Sequence, residues 1–86
     1  MSHEHRHQSH PRIVARLKRA EGHLNAVVAM IEAGRPCLDV AQQLQAVESA
    51  IRSAKQTLIH DHVDHCLDAR NSEAEREELK AITRYL

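Results

Sequence analysis

The chain has 86 residues, carries 12 Lys+Arg against 12 Asp+Glu, and holds a single aromatic, Tyr85, with no Phe or Trp. One small domain is expected, with a core built from Leu, Ile, Val, Ala and Met and thin enough that association with further copies follows. Zero formal net charge excludes a uniformly basic nucleic-acid binder, so any electrostatic footprint has to be local.

No apolar run approaches the ~20 residues of a membrane span, and the polar start does not read as a signal peptide. The expected location is therefore cytoplasmic, with no membrane partner. In a reducing compartment two cysteines, Cys37 and Cys66, read as ligands or reactive thiols rather than as a disulfide.

Residues 1–10, "MSHEHRHQSH", have no apolar periodicity and carry His3, His5, His7 and His10. They read as a flexible histidine-rich arm preceding a single helical domain over 11–86. From Pro11, Ile13, Leu17, Ala20, Leu24, Val27 or Val28 and Ile31 recur at three-to-four spacing, as an amphipathic helix requires. Pro11 suits the first helical turn. Gly34 and Pro36 supply the stop, placing the helix end near Ala33.

The second helix carries Cys37, Val40, Leu44, Val47, Ile51, Ala54, Leu58 and His62 at alternating steps of three and four, closing on a step of four. This reads as one continuous seam. Asp39 lies in its first turn, where a carboxylate is favoured by the helix dipole, and the helix is expected to run to about Leu67. Ser72 with Glu75 forms a capping-box pattern opening a short last helix, with Leu79, Ile82 and Leu86 on one face. The fold expected is all-α with three helices per protomer.

The stretch "HDHVDHC", residues 60–66, raises the question of a metal site. His62 and Cys66 are four apart and share a helix face, so they can grip one ion together. Cys37 lies on the same seam, but 25 residues at ~1.5 Å rise put it roughly 37 Å from His62 along a straight helix. One chain cannot close that site.

If two copies of the second helix pack antiparallel, with the two-fold axis near Ala50 and Ile51, each Cys37 meets His62 and Cys66 of the other copy. A symmetric homodimer with two intersubunit sites results. Two thiolates and an imidazole suit Cu(I); with a fourth ligand they suit Ni(II), Co(II) or Zn(II), and an arm histidine can supply it. His60 points well away from His62 and reads as solvated. His65 points off the His62–Cys66 pair and at most supports a ligand from behind, and His23 reads as exposed or satisfied by packing.

Together, "RLKRAEGHL", "GRPCLDVAQQLQAV" and "HDHVDHCL" resemble the CsoR/RcnR family of copper-sensing and nickel/cobalt-sensing repressors, over roughly Pro11 to Leu67. The resemblance implies an all-helical fold, an antiparallel dimer forming a four-helix bundle, and a dimer of dimers. It also implies repression of a metal-efflux operon until metal weakens the hold on operator DNA.

The family's core ligands match Cys37, His62 and Cys66. Nickel and cobalt sensors add an N-terminal histidine, and the ungapped position falls on His5, with His3 and His7 as further candidates. On this pattern the sequence favours Ni(II), with Cu(I), Co(II) and Zn(II) as alternatives. Formaldehyde-sensing branches use an N-terminal proline amine where this chain has Ser2, and a persulfide sensor has no need of His62.

Arg12, Arg16, Lys18 and Arg19 in the first helix, with Arg52 and Lys55 in the second, give local positive density. By themselves such charges describe a solvated face. The resemblance makes Arg16, Arg19 and Arg52 the first candidates for phosphate contact, on a surface that lacks any helix-turn-helix, zinc-finger or basic-zipper signature. A metal buffer or chaperone using the same ligands is the competing class. No motif such as His-Glu-x-x-His supports an enzyme.

Overall fold

The computed structural model describes residues 10–68 and 73–86, with side chains for 10–65 and 73–86. Three helices follow in chain order: α1 (His10–Glu32), α2 (Cys37–Asp68) and α3 (Glu73–Ile82), ending in a 3-10 turn over Thr83–Tyr85. Among the described residues there is no strand, and no helix is long and apolar enough to cross a membrane. The expected all-α fold is present. The arm histidines His3, His5 and His7 and the capping Ser72 lie outside the described residues, whereas His10 is already the first residue of α1.

The α1–α2 corner is a Schellman closure. Arg35 N–H donates to the Met30 carbonyl at 3.0 Å and Gly34 N–H to the Ile31 carbonyl at 3.0 Å, which satisfies two carbonyls that the ending helix leaves open. The geometry requires a left-handed residue, and Gly34 supplies it at φ 75. Pro36 then contributes only its carbonyl, which accepts from Val40 N–H at 3.1 Å to open α2. Asp39 in that first turn also pairs with Arg35 at 3.4 Å.

α1 and α2 pack as an antiparallel hairpin, and the seam read from the sequence resolves into two stripes. On α2, Val40, Val47 and Ala54 are buried against α1; on α1, Ile13, Ala20 and Val27 are buried in return. The second set, Leu44, Ile51 and Leu58 on α2 with Leu17, Leu24 and Ile31 on α1, stays between 41% and 58% exposed. Each set repeats every seven residues, and the two sets lie some tens of degrees apart on their helices. One stripe closes the hairpin and the other faces outward.

The hairpin therefore leaves one apolar stripe on each helix open to solvent. The chain's extents are 54 × 27 × 15 Å and its radius of gyration is 17.1 Å, against roughly 12 Å for a compact chain of this length. Among the described residues seven hydrophobic ones form the buried set, with Val27, Val40 and Val47 as its centre and Met30 packed beside them.

α3 folds against the far end of α2. Leu79 and Ile82 are half-buried, as the one-face pattern predicts. Leu86 departs from it and is 67% exposed, because the 3-10 turn changes the residue spacing before the chain reaches it.

Candidate metal centre and nucleic-acid face

Cys37 is the first residue of α2 and carries an exposed free thiol. His62 lies on the same helix 25 residues later and is half-buried. By helical spacing both fall on the outward side of α2, the side of Leu44, Ile51 and Leu58, while Val40, Val47 and Ala54 face α1. The side chain of Cys66 lies outside the described residues, although its backbone continues α2. Among the described residues no three His, Cys, Asp or Glu side chains converge to hold an ion. Within one chain, then, the sequence-predicted ligands Cys37 and His62 stay apart.

At the His62 end, α3 builds a wall that the residue spacing does not predict. A cleft of about 570 Å³ is lined by His10 from α1, Leu58, His62 and His65 from α2, and Glu75 and Ile82 from α3. His65, expected to point off the His62–Cys66 pair and at most to support a ligand from behind, borders the same cleft. His60 is exposed, as expected. What α3 adds had no signal in sequence spacing, because spacing along one helix does not say how another packs against it.

The basic residues separate into three groups. Arg16 and Arg19 line a cleft between α1 and α2 together with Ala20, His23, Ala50 and Ser53. Arg12 shares their side of α1 by helical spacing, whereas Lys18 falls on another side. Arg52 and Lys55 border a different groove, beside Leu24, Leu44 and Ile51, and Arg52 pairs with Glu48 at 3.6 Å. The structure does not bring Arg52 beside Arg16 and Arg19 within one chain.

His23 is satisfied by packing, one of the two roles the sequence left open, through a hydrogen bond between its Nε2 and Oε1 of Gln43 at 2.7 Å. The same spacing that relates Arg12, Arg16 and Arg19 includes His23, and that periodicity is the signal that could have grouped it with them.

Residues 9–86 match the family model described as metal-sensitive transcriptional repressor. The chain is 41% identical over 54 residues to the copper-sensing transcriptional repressor CsoR of Mycobacterium ulcerans, covering 63% of this chain and 46% of that protein. It is 42% identical over 52 residues to the copper-sensing transcriptional repressor RicR of Mycobacterium tuberculosis, covering 60% and 54%. With the copper-sensing repressor CsoR of Bacillus subtilis the identity is 38% over 55 residues, covering 64% and 54%. The matches span about half the length of these relatives. A three-helix chain matched by that family model along nearly its whole length belongs to the metal-sensitive transcriptional repressor family.

Proposed function

We propose that the chain is a metal-responsive transcriptional repressor that holds operator DNA in the apo form and releases it when metal binds between chains. One observation carries this reading. Cys37 and His62 occupy opposite ends of the outward side of a single 32-residue helix, with the half-open apolar residues Leu44, Ile51 and Leu58 between them.

A second copy laid antiparallel covers that apolar stripe and brings each Cys37 to the partner's opposite end. The covering removes several large hydrophobic side chains per chain from water, each worth about 1.5–3 kcal/mol when fully buried. The hairpin pair forms a four-helix bundle, and two pairs form the homotetramer. A repressor of this kind acts where the DNA is, so the proposed location is the cytoplasm.

Cys37, His62 and Cys66 would hold the ion, and two thiolates with an imidazole fit Cu(I). The three relatives named above are copper-sensing by name, which favours Cu(I) over the Ni(II) preferred on sequence grounds. Ni(II) or Co(II) is the second reading, carried by one feature alone, the position of His5 ahead of Cys37. Held by Cys37, His62 and Cys66, an ion would link the two chains, and whatever it cost in DNA affinity DNA would cost equally in metal affinity.

The deciding experiment is anisotropy of the apo protein on a duplex from its own upstream region, with Cu(I) or Ni(II) added anaerobically. We expect tight apo binding that weakens steeply with salt and release by Cu(I), insensitive to His5→Ala. Release by Ni(II) that His5→Ala abolishes would establish the second reading. Failure of the apo protein to bind, or binding that neither ion changes, would overturn both and leave a metal buffer.

A further inference from the structure

Arg12, Arg16, Arg19 and His23 follow one another at steps of four, three and four, which places them within roughly 60° of arc on α1. The last three border the α1–α2 cleft, whose α2 wall is Ala50 and Ser53 and which, among the described residues, no carboxylate lines. Two guanidiniums and a hydroxyl bordering a cleft that has no counter-charge among the described residues form a seat for an anionic oxygen.

His23 is the unusual member. Its Nε2 lies 2.7 Å from Oε1 of Gln43 on the opposite helix, and an amide oxygen only accepts, so Nε2 carries the hydrogen. In the neutral ring Nδ1 then holds a lone pair, which repels a phosphate oxygen. Protonation turns Nδ1 into a donor while the bond to Gln43 is kept.

The charges facing the ring are Arg16 and Arg19 on its own helix. On α2 it meets the neutral Gln43, Ala50 and Ser53. By helical spacing Glu21 and Glu48 point to other sides of their helices, and Glu48 is paired with Arg52. α3 lies at the other cleft, beside His62.

We propose that this cleft seats a DNA phosphodiester and that His23, oriented by Gln43, takes up a proton when the phosphate enters, so that DNA binding is coupled to protonation. The inference rests on the repressor reading above and adds His23 as a positioning and charge-supplying residue. The sign is fixed by linkage: the DNA-bound state holds more protons than the free state, so affinity rises as pH falls.

The test compares the apo full-length protein with its His23→Asn variant on the same duplex at about pH 8 and about pH 6, the range in which histidines titrate. Wild type is expected to gain up to about tenfold in affinity per pH unit for each seat engaged. The variant should lose that increment, and at about pH 6 its salt slope should fall by about one per seat.

A second measurement keeps the proposal testable if the variant does not fold. In imidazole nitrogen NMR of wild type near neutral pH, DNA should convert the His23 ring from the Nε2–H tautomer to the imidazolium. Superimposable pH profiles for wild type and variant, a His23 ring that DNA leaves unchanged, or a ring that responds to inorganic phosphate but not to DNA would each overturn the seat while the repressor reading stands. Loss of all DNA binding by wild type would instead overturn the repressor reading, and the seat with it.

Discussion

Ile51→Glu is expected to dissociate the protein into monomers with reduced helicity that no longer bind DNA. Ile51 is 46% exposed in the hairpin and stands midway between Leu44 and Leu58 on the outward stripe of α2, at the position where an antiparallel pair crosses its two-fold axis. Symmetry places both introduced carboxylates at that crossing. The change removes about 2–3 kcal/mol of side-chain burial per chain and adds two like charges to a low-dielectric seam. Association should weaken by on the order of 1,000-fold or more.

Because the hairpin alone buries only a narrow core, helicity should fall together with association. Sedimentation equilibrium and circular dichroism read the two effects. Leu38→Glu is the control: Leu38 is 68% exposed and lies off both apolar stripes, so that variant should assemble normally. An assembled, DNA-binding Ile51→Glu protein would mean that copies meet through some other face.

Cys37→Ala should have the opposite profile, leaving the assembly intact and removing the metal response. Cys37 is exposed and bonded to nothing covalently, so its loss opens no cavity, and stability should stay within about 0.5 kcal/mol of wild type. Metal affinity is another matter. Four-ligand structural zinc sites are worth about 10–16 kcal/mol, so one thiolate carries about 3 kcal/mol and its loss costs on the order of 100-fold.

The variant should therefore bind operator DNA like the apo wild type and stay bound at metal concentrations that release wild type. Thermal melting, metal competition with a chromophoric chelator and anisotropy on DNA check the three parts. If Cys37→Ala still releases DNA at wild-type metal concentrations, Cys37 is not a ligand.

Much of this architecture is legible in the residues themselves. The three helices follow from apolar spacing, and the α1 stop follows from Gly34, whose φ of 75 is the conformation a side chain disfavours. The division of the α2 seam into an inward and an outward stripe is not legible, since Val40 and Leu44 differ by only a few tens of degrees around the helix and both are apolar. Which of them meets α1 depends on the rotation at which the hairpin packs.

The same packing decides the basic residues. Arg16 and Arg52 look equivalent as charges in sequence, yet they border separate grooves. The hydrogen bond between His23 and Gln43 joins residues 20 apart and exists only because the two helices pack in that register. The proposal of Cys37 and His62 as ligands comes from the sequence, because thiolates and imidazoles at matching helical positions suit a soft ion, and its intersubunit form comes from the fact that one helix cannot bend its two ends together.

The intersubunit site is the central claim, and mixing two defective chains tests it. Cys37→Ala protein and His62→Ala/Cys66→Ala protein each lack a working site alone. In a mixed antiparallel dimer, Cys37 of the second chain meets His62 and Cys66 of the first, so one complete site returns per heterodimer. Refolding equal amounts of the two variants together and titrating with Cu(I) should recover tight binding at one ion per heterodimer, half the capacity of a wild-type dimer and about a quarter of it over a randomly paired mixture. If the mixture binds no better than the separate variants, the antiparallel, metal-bridged dimer is contradicted.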